Sequence, residues 1–207
     1  MTRVKICGIT RLDDALLAAE LGAAAVGFVF WPRSPRAIDP TLAAAIAEQL
    51  PANILTVGVF VDQPVEDVRR MAEGARLSAV QLHGSEPLDH TRQLLRPVIR
   101  AVPVDDGFVP ESLDAIPDEV TVLLDAHDPV RRGGTGRTID WPTARAAAMR
   151  RRLFLSGGLS PENIADAIAQ VHPYGVDLSS GVESSPGVKD PKRLRALFTA
   201  LRATHDD

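Results

Sequence analysis

The sequence predicts an α/β chain, a closed (β/α)8 barrel of the TIM-barrel architecture, forming a single domain over residues 1–207. Three observations predict it. Short apolar runs of strand length recur about eight times. Amphipathic patterns at helical spacing lie between most of them. No linker, charge block or composition shift divides the chain. Strand–helix alternation favours a parallel sheet, and eight units in one domain favour closure over an open doubly wound sheet. The open alternative also lacks its fingerprint, since Cys7-Gly8-Ile9-Thr10 offers one glycine where a dinucleotide loop needs three.

The first strand, Arg3 to Cys7, alternates polar with apolar side chains, so Lys5 and Cys7 share one face and Val4 and Ile6 the other. Gly8 ends it. Thr10 with Asp13 three residues later reads as the N-cap and N3 of a helix, a capping-box variant. The remaining strands are read at Ala24–Phe30, Ile54–Val61, Ala79–His83, Val98–Val102, Val120–Asp125, Leu153–Leu155 and Gly175–Ser179. Helical spacing is clearest in Val65/Val68/Ala72/Ala75, Ile164/Ala167/Ile168/Val171 and Leu194/Leu197/Phe198/Leu201. Helix starts are expected at Asp39-Pro40, Glu86-Pro87, Ser160-Pro161 and Asp190-Pro191, because proline fits a first turn whose N–H has no partner. Between the fifth and seventh strands the helical signal thins to Pro110–Ile116 and Ala144–Met149.

Composition narrows the function classes. A net charge of −4 without a basic stripe argues against a nucleic-acid partner, and Arg150-Arg151-Arg152 reads as a helix C-terminus complementing the macrodipole. The most apolar segment, Leu21 to Trp31, is about half the ~20 residues of a membrane span, so no membrane association is expected. One cysteine allows no internal disulfide, and no signal-peptide pattern opens the chain. These readings place the protein in the cytoplasm.

In a barrel, polar residues at the C-terminal ends of strands suggest chemistry, and here those ends carry Cys7, Asp62, His83, Asp125, Ser156, Asp177 and Ser179. Each alone has a structural explanation: a small buried thiol, a turn-capping carboxylate, a satisfied histidine. Together they suggest a site. Asp125 leaves an apolar wall on the face of Leu123, a setting that favours a carboxyl retaining its proton. Ser156-Gly157-Gly158 and Ser179-Ser180-Gly181 supply small residues with free amides in the last two loops, where barrels often hold phosphate. Arg33 or Arg36, in a loop stiffened by two prolines, is a candidate clamp for a carboxylate. The glycine-rich Arg131–Arg137 segment reads as a cover for the site.

Taken with their order along the chain, these motifs resemble the phosphoribosylanthranilate isomerase family of tryptophan biosynthesis. They include Lys5-Ile6-Cys7-Gly8-Ile9-Thr10, Val80-Gln81-Leu82-His83-Gly84, Leu123-Leu124-Asp125, Leu155-Ser156-Gly157-Gly158-Leu159 and Asp177-Leu178-Ser179-Ser180-Gly181-Val182-Glu183. The resemblance implies a (β/α)8 barrel, no cofactor and no metal. It implies an Amadori rearrangement of N-(5-phosphoribosyl)anthranilate, with Cys7 as general base, Asp125 as general acid and Arg36 on the anthranilate carboxylate. The phosphate of the small-molecule substrate is expected at Gly157, Gly158, Ser180 and Gly181. Lys5, His83 and Asp177 are supporting residues. Monomer and homodimer both remain open.

A thiol of ordinary pKa is only a few per cent thiolate at pH 7, and Lys5 on the same face is expected to lower that pKa below ~8.5. Lys5 itself needs a partner inside a barrel, and Asp177 on the adjoining strand is the candidate. Two rivals stand beside this reading. A pentose phosphate epimerase or an indole-forming synthase shares late phosphate loops, but Cys7 and Arg36 speak against it. A catalytically silent barrel that binds a phosphorylated metabolite as a regulator is the non-enzymatic alternative, and the pairing of Cys7 with Asp125 favours turnover.

Overall fold

Alternating side chains on β1 (Arg3–Cys7) send Val4 and Ile6 outward into packed helices and Lys5 and Cys7 inward, which is the parity of a strand buried on both faces. The computed structural model describes residues 2–126 and 139–203. In order, β1 is followed by α1 (Leu12–Leu21), β2 (Ala25–Val29), α2 (Pro40–Ala47), β3 (Leu55–Phe60) and α3 (Val65–Gly74). Then come β4 (Ala79–Leu82), α4 (Asp89–Gln93), β5 (Val98–Val104), a 3-10 helix (Pro110–Ala115) and β6 (Thr121–Ala126). The chain continues through α5 (Trp141–Arg150), β7 (Leu153–Leu155), α6 (Ile164–Val171) and β8 (Gly175–Leu178). A short 3-10 turn (Ser180–Val182), β9 (Glu183–Ser185), β10 (Val188–Lys189) and α7 (Pro191–Ala203) complete it.

Strands β1 to β8 pair in chain order, and β8 returns to β1 with Val4 opposite Val176 and Lys5 opposite Asp177, closing the expected barrel. Every pairing around it is parallel. Its interior floor is an apolar layer from Ala25, Val57, Ala79, Ile99, Leu123 and Phe154. Two residues further along the strands, at the next inward-facing level, polar residues take over on several strands, including Cys7, Gln81 and Asp125. The outer core follows the read periodicity: Ile164, Ala167 and Val171 of α6 and Leu194, Leu197 and Leu201 of α7 are all buried against the sheet.

Local expectations divide. Asp39 caps α2 with Pro40 at its first position, accepting from the Thr41 and Leu42 amides, and Asp190 accepts from the Lys192 amide at the start of α7. Thr10 does not cap α1. The helix starts from Arg11 without a side-chain cap, because the Thr10 hydroxyl donates to the Gly187 carbonyl at 2.5 Å instead. Glu86 does not open a helix either, since α4 begins at Asp89. Its buried carboxylate accepts from the Asp62 and Gly84 amides and from Arg100, so it braces the turn that follows β4. After Ser160-Pro161 the helix starts at Ile164, and Asn163 Oδ1 accepts from the Ser160 amide to shape the entry. In the arginine run, Arg150 ends α5 as expected, whereas the Arg151 guanidinium donates to the carbonyls of Leu113, Ile116, Pro117 and Val120. The covering role read for Arg131–Arg137 lies outside the described residues.

Candidate active site

The C-terminal mouth of the barrel opens into a cavity of about 980 Å³. Cys7, Arg36, His83, Asp125, Asp177 and Ser180 all line it, so strand ends far apart in sequence meet there. Lys5 lies below them, wholly buried, with Nζ 2.9 Å from Asp177 Oδ1. The partner proposed from the sequence is thus the partner found.

Gly27 on β2 is the register partner of Cys7. A Cβ there would stand 2.9 Å from Cys7 Sγ and 3.2 Å from Lys5 Nζ. The glycine therefore clears the volume that lets thiol and ammonium sit side by side. Burial pushes the Cys7 thiol up, Asp177 adds to the push, and Lys5 and Lys189 oppose it without prevailing. This corrects the expected lowering by Lys5, which acts in the direction read but against a larger desolvation. Burial alone would lower Lys5, but Asp177 and Cys7 outweigh it and hold its pKa above the ordinary value.

Asp125 follows Leu123 on the inward face of β6 and is nearly inaccessible. His83 Nε2 lies 3.1 Å from Asp125 Oδ2, and Gln81 Nε2 lies 2.8 Å from His83 Nδ1. Gln81 Nε2 is a donor, so the tautomer that accepts it at Nδ1 is the one with Nε2–H directed at Asp125. Gln81 was not read as a site residue. Its inward position two residues before His83 on a strand was the available signal.

Arg36 reaches the mouth from the loop after β2, but its guanidinium is not free. Glu183 of β9 takes Nε at 2.9 Å and Nη2 at 2.7 Å in a fork, so the edge expected to hold a carboxylate already holds one. Gly8, at φ 74°, permits this course, because a Cβ there would lie 2.6 Å from Arg36 Cδ. Glu183 also accepts from Lys189 Nζ at 2.8 Å. Neither Glu183 nor Lys189 was assigned a role from sequence. They sit on a β9–β10 hairpin laid over the barrel rim, and Ser185-Pro186-Gly187 between two short polar–apolar runs was its turn signal.

At the last two loops, Ser156 and Ser180 line the cavity and Ser179 Oγ is buried without a hydrogen-bond partner among the described residues. Gly157 and Gly158 adopt left-handed φ values of 88° and 62°. The need for glycine is structural at two positions. A Cβ on Gly157 would stand 2.7 Å from the Ala126 side chain, and one on Gly181 would run into the Leu159 carbonyl. The loops after β7 and β8 are therefore packed backbone to backbone.

A thiol, a histidine-bound carboxylate and an arginine on the C-terminal rim of a closed (β/α)8 barrel define a barrel enzyme. The profile of the family described as N-(5'-phosphoribosyl)anthranilate (PRA) isomerase matches residues 4–200. An N-(5'-phosphoribosyl)anthranilate isomerase from Pelobacter propionicus is 46% identical over 207 residues, covering 100% of this chain and 99% of that protein. The crystal structure of phosphoribosyl anthranilate isomerase from Thermus thermophilus superposes with a TM-score of 0.90 at 46% identity, covering 98% of this chain and 99% of the other. A further solved isomerase, in complex with reduced 1-(o-carboxyphenylamino)-1-deoxyribulose 5-phosphate, is 41% identical with a TM-score of 0.86, covering 98% of this chain and 100% of that one. The chain belongs to the N-(5'-phosphoribosyl)anthranilate isomerase family, the isomerases of tryptophan biosynthesis. No helix of the described residues is long and apolar enough to cross a membrane.

Proposed function

We propose that this chain rearranges N-(5'-phosphoribosyl)anthranilate with Asp125 as general acid and Cys7 as general base. Asp125 gives a proton to the furanose ring oxygen as the ring C–O bond breaks and the anilino nitrogen's lone pair forms the C=N bond. The Cys7 thiolate then takes the proton from the second sugar carbon, and the C–H electrons form the enolamine double bond as the C=N electrons return to nitrogen. Tautomerisation of the enolamine gives the ketose. One acid and one base suffice, and no cofactor or metal enters the scheme.

The observation that carries this reading is the convergence of Cys7, Asp125 and Arg36 on one cavity with Ser156 and Ser180. Two positively charged arginines, Arg33 and Arg36, line the same mouth and suit the anthranilate carboxylate, with Arg36 offering its Nη1 side while Glu183 holds the rest. The phosphate goes to the loops after β7 and β8, where Ser156, Ser179 and Ser180 line the cavity and Gly157, Gly158 and Gly181 stand next to them in the chain, outside its lining. Because burial raises the Cys7 pKa, a minor thiolate fraction acts at neutral pH, and that fraction is a correspondingly stronger base. A lone thiol in this role fits a reducing compartment, in line with the cytoplasmic placement read from the sequence.

Growth rescue of a strain lacking this isomerase, paired with loss of anthranilate fluorescence when purified protein meets substrate, tests the proposal. Saturable binding without loss of substrate would assign the chain to the regulatory, non-enzymatic reading instead.

A further inference from the structure

Lys189 is wholly buried beside the reaction cavity, and the acid–base scheme leaves it without a task. Burying an ammonium is costly unless it is paired and fully hydrogen-bonded, so its partners indicate what it is held for. Nζ donates to the Cys7 carbonyl at 2.6 Å, to the Ser179 carbonyl at 3.3 Å and to Glu183 Oε1 at 2.8 Å. Its backbone N–H donates to Asp14 of α1 at 3.0 Å, which anchors β10 to the first helix. The Cys7 carbonyl ends β1, Ser179 follows β8, and Glu183 grips Arg36 by its fork. One ammonium thus touches the strand end that carries the thiol, the start of a late loop, and the carboxylate that aims the arginine.

We infer that Lys189 is a positioning residue that sets the base, Cys7, and the carboxylate-binding arginine, Arg36, in one fixed relation through the Cys7 carbonyl and Glu183. This rests on the roles given above to Cys7 and Arg36. Glu183 stands between Arg36, which lines the mouth, and the buried Lys189, whose pKa burial pulls below its ordinary value against the opposing pull of Glu183. The charged groups that bear on the thiol are Lys5, Asp177 and Lys189, and Lys189 is the one among them tied to the hairpin.

The test compares Lys189→Met with Glu183→Gln. Lys189→Met should raise KM by about tenfold or more, since Arg36 loses the fixed carboxylate that aims it. It should also move the pH midpoint of Cys7 alkylation upward, because a cation near the thiolate is gone. A purely structural lysine predicts a lower unfolding midpoint with KM and the alkylation midpoint unchanged, which would overturn the inference. Should Lys189→Met fail to fold, Glu183→Gln carries the test: it keeps the ammonium on the Cys7 carbonyl, so KM should rise while the alkylation midpoint does not. An unchanged KM there overturns the link to Arg36. Alkylation of wild-type Cys7 that leaves turnover intact is a separate result, and it would remove the base role rather than the positioning one.

Discussion

Lys5 Nζ and Asp177 Oδ1 stand 2.9 Å apart across the seam where β1 and β8 close the barrel, and the two residues are register partners. Lys5 is wholly buried and Asp177 nearly so, its remaining exposure facing the cavity. Breaking one side should therefore leave an uncompensated buried charge. Asp177→Asn is expected to lower the unfolding free energy in urea by about 3–5 kcal/mol, whereas the double variant Lys5→Met/Asp177→Leu should recover most of that loss. Equal stability of Asp177→Asn and wild type would mean the seam is held by its backbone pairing alone.

Asp125 should show its role in kcat. Asp125→Asn keeps the shape and the His83 contact but has no acid proton, so kcat is expected to fall by about 100-fold or more with phosphate inhibition unchanged. His83→Asn should cost less, about tenfold, since it removes the donor on Oδ2 but leaves the acid itself. Steady-state kinetics with fluorescence detection measure both. A near-wild-type kcat in Asp125→Asn would move the acid elsewhere.

The residues legible in the sequence were those fixed by strand parity. Lys5 with Cys7, and Leu123 with Asp125, could be set on one face because side chains alternate strictly along a strand. The pairing of Lys5 with Asp177 followed from closing eight such strands. What escaped depends on contacts between distant segments. Lys189 meets the Cys7 carbonyl across 182 residues, and Arg36 meets Glu183 across 147. No local pattern announces either. Thr10 departs from the capping pattern for the same reason, its hydroxyl being drawn away by Gly187, 177 residues on. The direction of the Cys7 shift differs from the sequence expectation because sequence places Lys5 beside the thiol but does not report how deeply both are buried.

Arg36→Met should act on substrate binding and on acid stability together. KM is expected to rise about tenfold or more with kcat little changed, as for loss of a uniform binding contact. Burial works to raise the Glu183 carboxyl, but Arg36 and Lys189 overcome it and hold the folded value below the ordinary glutamate range. Such a depressed group stabilises the fold above its unfolded pKa and loses that contribution as pH falls through the folded one. Without Arg36 the folded value rises, so acid unfolding followed by circular dichroism should begin at higher pH. An unchanged acid midpoint and KM would transfer the carboxylate contact to Arg33.

Cys7 is the single cysteine, so iodoacetamide reports on one residue and its rate against pH traces one ionisation. With burial and Asp177 outweighing Lys5 and Lys189, the midpoint is expected above the ordinary cysteine value, and kcat/KM should climb through neutral pH into the alkaline range. The same raised pKa makes the folded state hold its proton longer than the unfolded chain. Its contribution to stability is therefore complete below the unfolded pKa and declines as pH rises toward the folded one. Lys5→Met removes the nearest cation, so it should push the alkylation midpoint further up and lower kcat/KM at pH 7. A bound product analogue should slow labelling, because the thiol lines the cavity it fills. An inert core cysteine predicts the opposite pattern: labelling only on unfolding, insensitive to ligand and to Lys5. Full activity after complete alkylation of the folded enzyme would take Cys7 out of the mechanism, and the proton at the second sugar carbon would then need another base within the same cavity.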